Sequence, residues 1–173
     1  MSKGCCGDKD DSLNIDFLYV DLSECERCQS SDETLDTALR ELREPIHQEG
    51  ISCINVTKRK ITSDEEAERY DLIRSPTLRI DDKDVEEIVN EEYEVKDNYC
   101  PSCEDVAGSE CYEVTGGGNN CRIFEYEGKS YEIIPKEMIK EAFRKVVGIE
   151  EVNDTSCCGP DTSDCCETTN TCC

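Results

Sequence analysis

Apolar and polar positions alternate along the first half of the chain in short blocks. Leu13 to Val20 is short, apolar and aromatic, which suits a buried strand. Leu35, Ala38, Leu39 and Leu42 then recur at i, i+3, i+4 and i+7, one face of a helix. Ser30, Ser31 and Asp32 offer N-cap groups for that helix, and Pro45 is expected to kink or end it. Ile51 to Thr57 reads as a second strand, with Ile54 and Val56 on one side. Ser63 and Glu66 fit a capping box for a short helix containing Ala67 and Tyr70. Ser75-Pro76-Thr77 precedes a third strand, Thr77 to Ile80, followed by a turn at Asp81-Asp82. Val85, Ile88 and Val89 share one face of a short helix. Arg122 to Tyr126 and Lys129 to Ile134 flank Glu127-Gly128 in a hairpin pattern. Pro135 suits the start of a last helix, with Met138, Ile139, Ala142, Phe143, Val146 and Val147 as its buried stripe and Gly148 as its C-cap. Strands and helices that alternate in this way favour adjacent parallel strands joined by a helix.

Composition divides the chain. Residues 1–12 are a polar leader with Cys5 and Cys6, residues 13–148 form the folded domain, and residues 149–173 are a polar tail. Within the domain, residues 99–121 are rich in Cys, Gly and polar side chains. The apolar share, 36%, is low for a wholly packed chain, so the tail is expected to be disordered. Net charge is −23, from 42 acidic and 19 basic residues, and such a field disfavours nucleic acid and anionic membrane surfaces as partners. No apolar stretch approaches a membrane span, and the first residues lack the apolar segment of a secretion signal, so a cytoplasmic protein is expected. The carboxylates of Asp81, Asp82 and Asp84 lack calcium-loop spacing and are expected to be solvated, and His47 to lie at the surface.

The chemistry lies in fifteen cysteines. In a reducing compartment, clustered cysteines point to metal binding or redox catalysis rather than to a disulfide framework. Their odd number forbids complete internal pairing, and with His47 the only histidine, any metal site must be rich in thiolate. Cys25-Glu26-Arg27-Cys28 follows the first strand and opens a helix. A helix N-terminus there lowers the thiol pKa, so that one thiolate can attack a disulfide and the other can resolve the mixed disulfide. Glu24 and Glu26 oppose a further negative charge, and Arg27 favours it.

The strand, CxxC, helix and downstream Ser75-Pro76-Thr77 resemble the thioredoxin superfamily. In that family a cis-proline at the start of the third strand packs against the CxxC. The resemblance implies a thioredoxin-like α/β fold, with Cys25 as nucleophile, Cys28 as resolving thiol and Pro76 as the cis-proline. The chain has no tryptophan and no Cys-Gly-Pro-Cys. Ser-Glu-Cys-Glu-Arg-Cys, Ser-Pro-Thr, and Cys-Arg followed by an aromatic strand around Gly128 are more similar to an uncharacterised prokaryotic thioredoxin-like family of unknown function, over roughly residues 13–147.

Two further groups of cysteines stand apart. Cys100, Cys103, Cys111 and Cys121 are spaced to close a tetrahedral zinc site, two disulfides or an iron–sulfur cluster. Gly116-Gly117-Gly118 between them lacks the following Lys-Ser or Lys-Thr of a phosphate loop and reads as a connector. In the tail, Cys157-Cys158, Cys165-Cys166 and Cys172-Cys173 are adjacent pairs. Side chains so placed converge on a soft ion more readily than on each other. Ser156-Cys-Cys-Gly-Pro-Asp-Thr-Ser-Asp-Cys-Cys resembles the tail of arsenical metallochaperones, which share the fold and pass As(III) to an efflux ATPase.

Three functions are therefore expected. The first is binding of soft metal or metalloid ions of the As(III) type through cysteine pairs, for buffering or for transfer to a partner such as an efflux system. The second is thiol–disulfide oxidoreduction at Cys25 and Cys28 with a protein thiol or disulfide partner, which needs no cofactor. The third is a non-catalytic module held by zinc or another soft metal on four thiolates.

Overall fold

The apolar run near the start of the chain forms β1, Ser12–Tyr19, at the centre of a four-stranded sheet. The computed structural model describes residues 12–23, 25–99 and 120–149. One edge of β1 pairs in parallel with β2 (Cys53–Lys60), and the other pairs antiparallel with β3 (Thr77–Ile80). β3 turns at Asp81-Asp82 into β4 (Lys83–Asp84), giving the order β2-β1-β3-β4. Both turn residues have left-handed φ values, 47° and 67°, a region that aspartate enters more easily than most side chains. The outer strand β2 carries Lys58, Arg59 and Lys60, charges that discourage pairing with another chain.

A second, three-stranded antiparallel sheet contains β5 (Lys96–Tyr99), β6 (Asn120–Tyr126) and β7 (Lys129–Tyr131). β6 and β7 form the expected hairpin around Glu127-Gly128, both with positive φ. β5 is a strand the hydrophobic pattern does not announce, because Lys96-Asp97-Asn98-Tyr99 is polar. Its last residue, Tyr99, is the register partner of Asn120, so the residues flanking 100–119 lie side by side. The fold is thus mixed α/β: a mixed sheet, a second sheet and helices.

Helix α1 spans Glu26–Gln48, α2 Asp64–Arg69, α3 Val85–Val89 and α4 Lys136–Val147. The N-cap of α1 is Cys25, not Ser30, Ser31 or Asp32, and Pro45 does not end the helix, which runs on to Gln48. The last turn continues past Pro45: the Glu49 N–H bonds the Pro45 carbonyl, and Ile46 is held in the core. Ser31, now inside the helix, uses its hydroxyl to accept the Ile134 N–H at 3.1 Å, docking the segment that leads into α4. Ser63 caps α2 as expected, while the Glu66 carboxylate reaches back to the Thr62 N–H and hydroxyl. α4 ends at Gly148, whose φ of 83° is the left-handed C-cap that glycine adopts without strain.

The main core joins Leu13, Ile15 and Phe17 of β1 to Leu35, Ala38, Leu42 and Ile46 of α1 and Met138, Ile139, Ala142 and Phe143 of α4. A second cluster gathers Leu18, Val20, Ile61, Ala67 and Leu72 around three cysteines: Cys25, Cys28 and Cys121. Among the described residues no helix is long and apolar enough to cross a membrane.

Arg122 at the start of β6 is almost wholly buried. Its guanidinium makes a bidentate pair with Asp84 at 2.6 and 2.8 Å, and bonds Glu86 at 2.8 Å and the Thr77 hydroxyl at 3.0 Å. Asp84 is therefore not solvated, as its local sequence suggests; it is buried, and it also caps α3 through the Glu86 N–H. Burial opposes the charge on Arg122, but Asp84 and Glu86 outweigh it and hold the guanidinium cationic, above its ordinary range. The other oxygen of Glu86 accepts the Glu125 N–H at 2.8 Å, so the network grips β6 at two points. Replacing Arg122 with Met leaves two carboxylates buried and unpaired, a change expected to cost roughly 3–5 kcal/mol. Urea unfolding measures it, and a loss below about 1 kcal/mol, the size of a surface pair, would contradict the role given to Arg122.

Candidate functional site

Cys25 follows the turn after β1, which is closed by local bonds. The Gln29 side-chain amide donates to the Leu22 and Ser23 carbonyls, and Asp21 accepts from the Ser23 N–H and hydroxyl. Cys25 then serves as N-cap of α1. Its sulfur accepts the Cys28 N–H at 3.4 Å, satisfying one of the donors a helix start leaves open. Its carbonyl accepts the Gln29 N–H, the first bond of the helix.

Cys25 and Cys28 are both buried, about 2% and 0% exposed. The Cys28 sulfur lies 3.4 Å from the Ser75 hydroxyl, which also accepts the Val20 N–H. Ser75 precedes Pro76 through a cis peptide bond, and its carbonyl accepts the Arg122 N–H at 3.1 Å. One residue thus ties together the end of β1, the second cysteine and the start of β6.

The neighbour of Arg122, Cys121, is buried against Cys25 and hydrogen-bonds its sulfur. The Cys25 pKa is lowered from 9.0 to about 3. The causes, in order, are the hydrogen bond from Cys121 and that from Cys28, opposed by burial, with smaller help from the Cys28 and Arg27 backbone. At neutral pH Cys25 is a thiolate held by two thiols and by the helix start.

The side chain of Arg27 does not perform the role its charge suggests. It turns away from Cys25, bonding Asn98 at 2.5 Å and Glu132 at 2.6 Å and fastening α1 to the second sheet. The thiolate is therefore stabilised by hydrogen bonds rather than by a neighbouring cation.

Of the cysteines grouped by sequence, the structure brings Cys25, Cys28 and Cys121 together. Cys100, Cys103 and Cys111, the tail pairs Cys157-Cys158, Cys165-Cys166 and Cys172-Cys173, and Cys5, Cys6 and Glu24 lie outside the described residues. Among the described residues no group of three or more His, Cys, Asp or Glu side chains is arranged to hold a metal ion. The pattern of residues did not point to Ser75 as a junction or to Cys121 as a neighbour of Cys25. The local sign was that Cys121 and Arg122 lead into the apolar Ile123 and Phe124 of β6.

The family model described as "Domain of unknown function (DUF2703)" matches residues 13–143. The chain belongs to the DUF2703 family. The match spans β1 through most of α4, and so includes Cys25, Cys28, Ser75, Pro76 and Cys121. No curated protein and no solved structure matches the chain.

In this DUF2703 domain the state of Cys25 can be read from a pH profile. Modification of reduced Cys25 by iodoacetamide, followed on its tryptic peptide, is expected to run at a level rate between about pH 5 and 9, because the thiolate is already formed. A rate that climbs through the ordinary thiol range, about 8.5, would contradict this. Stability follows with a definite sign. A depressed folded-state pKa stabilises fully above the ordinary value of 9.0, and that stabilisation drains away as pH falls towards about 3. Cys25→Ser should therefore lower the urea midpoint of the reduced protein more at pH 8 than at pH 5.

Proposed function

We propose that this DUF2703 protein is a thiol–disulfide exchange protein of thioredoxin-like architecture, with Cys25 as nucleophile and Cys28 as resolving thiol. The observation that carries the proposal is the Cys25 thiolate at the N-cap of α1, one helical turn from a second thiol. The strand order β2-β1-β3-β4, with β1 parallel to β2 and antiparallel to β3, supports the architecture, as does the position of the CxxC directly after the central strand.

The exchange needs no cofactor. The Cys25 thiolate attacks one sulfur of a substrate disulfide, the substrate S–S bond breaks, and one substrate thiolate leaves. Cys28, giving up its proton to that thiolate, attacks the Cys25 sulfur and releases the second substrate thiolate. Two protein thiols are oxidised and one disulfide is reduced. Because Cys25 is buried, small disulfides are the first substrates to try.

A thiolate this stable favours the reduced form of the pair, so the Cys25–Cys28 disulfide should be a strong oxidant. Its midpoint in glutathione buffers is expected above about −200 mV, towards the roughly −120 mV of the most oxidising CxxC pairs. Cys25→Ser should abolish exchange with oxidised glutathione at this site. A midpoint at or below about −270 mV, or a wild-type chain with no Cys25 disulfide under oxidising buffer, would overturn the proposal.

A second reading is capture of soft ions by cysteine pairs, favoured by six paired cysteines at 157–173 and by the composition of the chain. In that case As(III) titration of the reduced full chain should show binding that is lost when residues 149–173 are removed, and unchanged binding would count against it.

A further inference from the structure

Cys121 is the thiol that the reading above leaves without a task. It is about 1% exposed, shares one apolar cluster with Cys25 and Cys28, and donates to the Cys25 sulfur. The next residue, Arg122, is anchored twice: its N–H bonds the Ser75 carbonyl at 3.1 Å, and its side chain is locked to Asp84 and Glu86. Ser75 in turn contacts the Cys28 sulfur. Cys25 thus lies between two thiols, hydrogen-bonded to each.

We infer that Cys121 is a second resolving thiol, so that Cys25 forms two mutually exclusive disulfides, one with Cys28 and one with Cys121. The inference rests on thiol–disulfide exchange at Cys25. A small disulfide, such as oxidised glutathione, is attacked by the Cys25 thiolate, giving the mixed disulfide and one released thiolate. That thiolate takes the proton of Cys121. The Cys121 sulfur then attacks the Cys25 sulfur, the bond to the bound half breaks, and the second thiolate leaves. Overall Cys25 and Cys121 lose two electrons and the small disulfide gains them. Once Cys25 is capped it no longer attracts the Cys121 proton, which frees Cys121 to act as nucleophile. Attack of Cys28 on the Cys25 sulfur in the Cys25–Cys121 disulfide exchanges one link for the other with no net oxidation. The Cys25–Cys121 link would join the first turn of α1 to β6 covalently, so the redox state of the CxxC would reach the second sheet.

The test uses the full chain, wild type and Cys28→Ser, each with and without Cys121→Ser. Reduced protein is equilibrated in glutathione buffers, quenched in acid, alkylated and mapped with trypsin. Arg27 separates Cys25 from Cys28, so the two links appear as different peptide pairs. In Cys28→Ser the Cys25 peptide is expected joined to residues 97–122, with fragmentation placing the bond on Cys121, and Cys121→Ser removes that pair. Cys25 left as a glutathione adduct in Cys28→Ser, or joined to Cys100, Cys103 or Cys111, overturns the inference. If the wild type forms Cys25–Cys28 while Cys28→Ser forms no link to Cys121, only this inference fails. If the wild type forms Cys25–Cys121 but no Cys25–Cys28, Cys121 is the resolving thiol by itself, and both the role of Cys28 and the pair of exclusive disulfides fall. If no Cys25 disulfide forms in any chain, both fall. The wild-type map carries the same readout should Cys28→Ser not fold.

Discussion

The buried pairing of Arg122 with Asp84 and Glu86 is the constraint on which the site depends. β6 is buried on both faces where it begins: Arg122 enters the carboxylate pair, and Cys121 enters the apolar cluster around Cys25. Neighbouring strand residues point to opposite faces. A slip of one residue would therefore bring a guanidinium to the thiolate and a thiol to two buried carboxylates. Both errors are severe, so a single ion network sets the register that puts Cys121 beside Cys25. Asp84 and Glu86 belong to the end of β4 and the start of α3, which places the same network between the two sheets.

The electrostatics of the site run against those of the chain. A protein with net charge −23 is a poor host for another anion, yet Cys25 is ionised at neutral pH. The field of distant carboxylates is screened by water and salt, whereas hydrogen bonds from Cys121, Cys28 and the helix start act at contact inside an apolar cluster. The short-range donors win. Arg27, the one cation inside the motif, is used instead to clamp α1 to Asn98 and Glu132. A negative charge held by thiols rather than by a fixed cation depends on those thiols keeping their protons and their places.

Much of this was legible in the residues, and the failures have physical causes. Apolar runs and helical spacing located β1, β3, the β6–β7 hairpin and the core faces of α1 and α4, because those elements supply the residues of the main core. β5 escaped because Lys96-Asp97-Asn98-Tyr99 carries no apolar stripe and is held by pairing with β6. Asp84 looked solvated because its partner lies 38 residues away and local pattern cannot see it. The CxxC does open α1, but its cap was not legible, because a thiol is an unusual cap and serines and an aspartate a few residues later offer better ones. The Cys25-Cys28 pair was visible as a motif. The place of Cys121 beside Cys25 was not legible, because the two are far apart in sequence and only the fold joins them.

Ser75 shows how the parts of the site are made to act together. Its hydroxyl bridges the Val20 N–H and the Cys28 sulfur, and its carbonyl holds the Arg122 N–H. A hydroxyl can both donate and accept, so it can follow a change in the protonation of Cys28 without losing the Val20 bond. A purely apolar residue there would leave the Val20 N–H buried and unpaired, a cost of about 1–3 kcal/mol. The same residue thus ends β1, seats one thiol and fixes the strand that bears another. In the exchange proposed for these thiols, the sulfurs would have to stay in reach while their charges change. A junction whose hydrogen bonds survive either protonation state meets that requirement, where an ion pair at the same place would not.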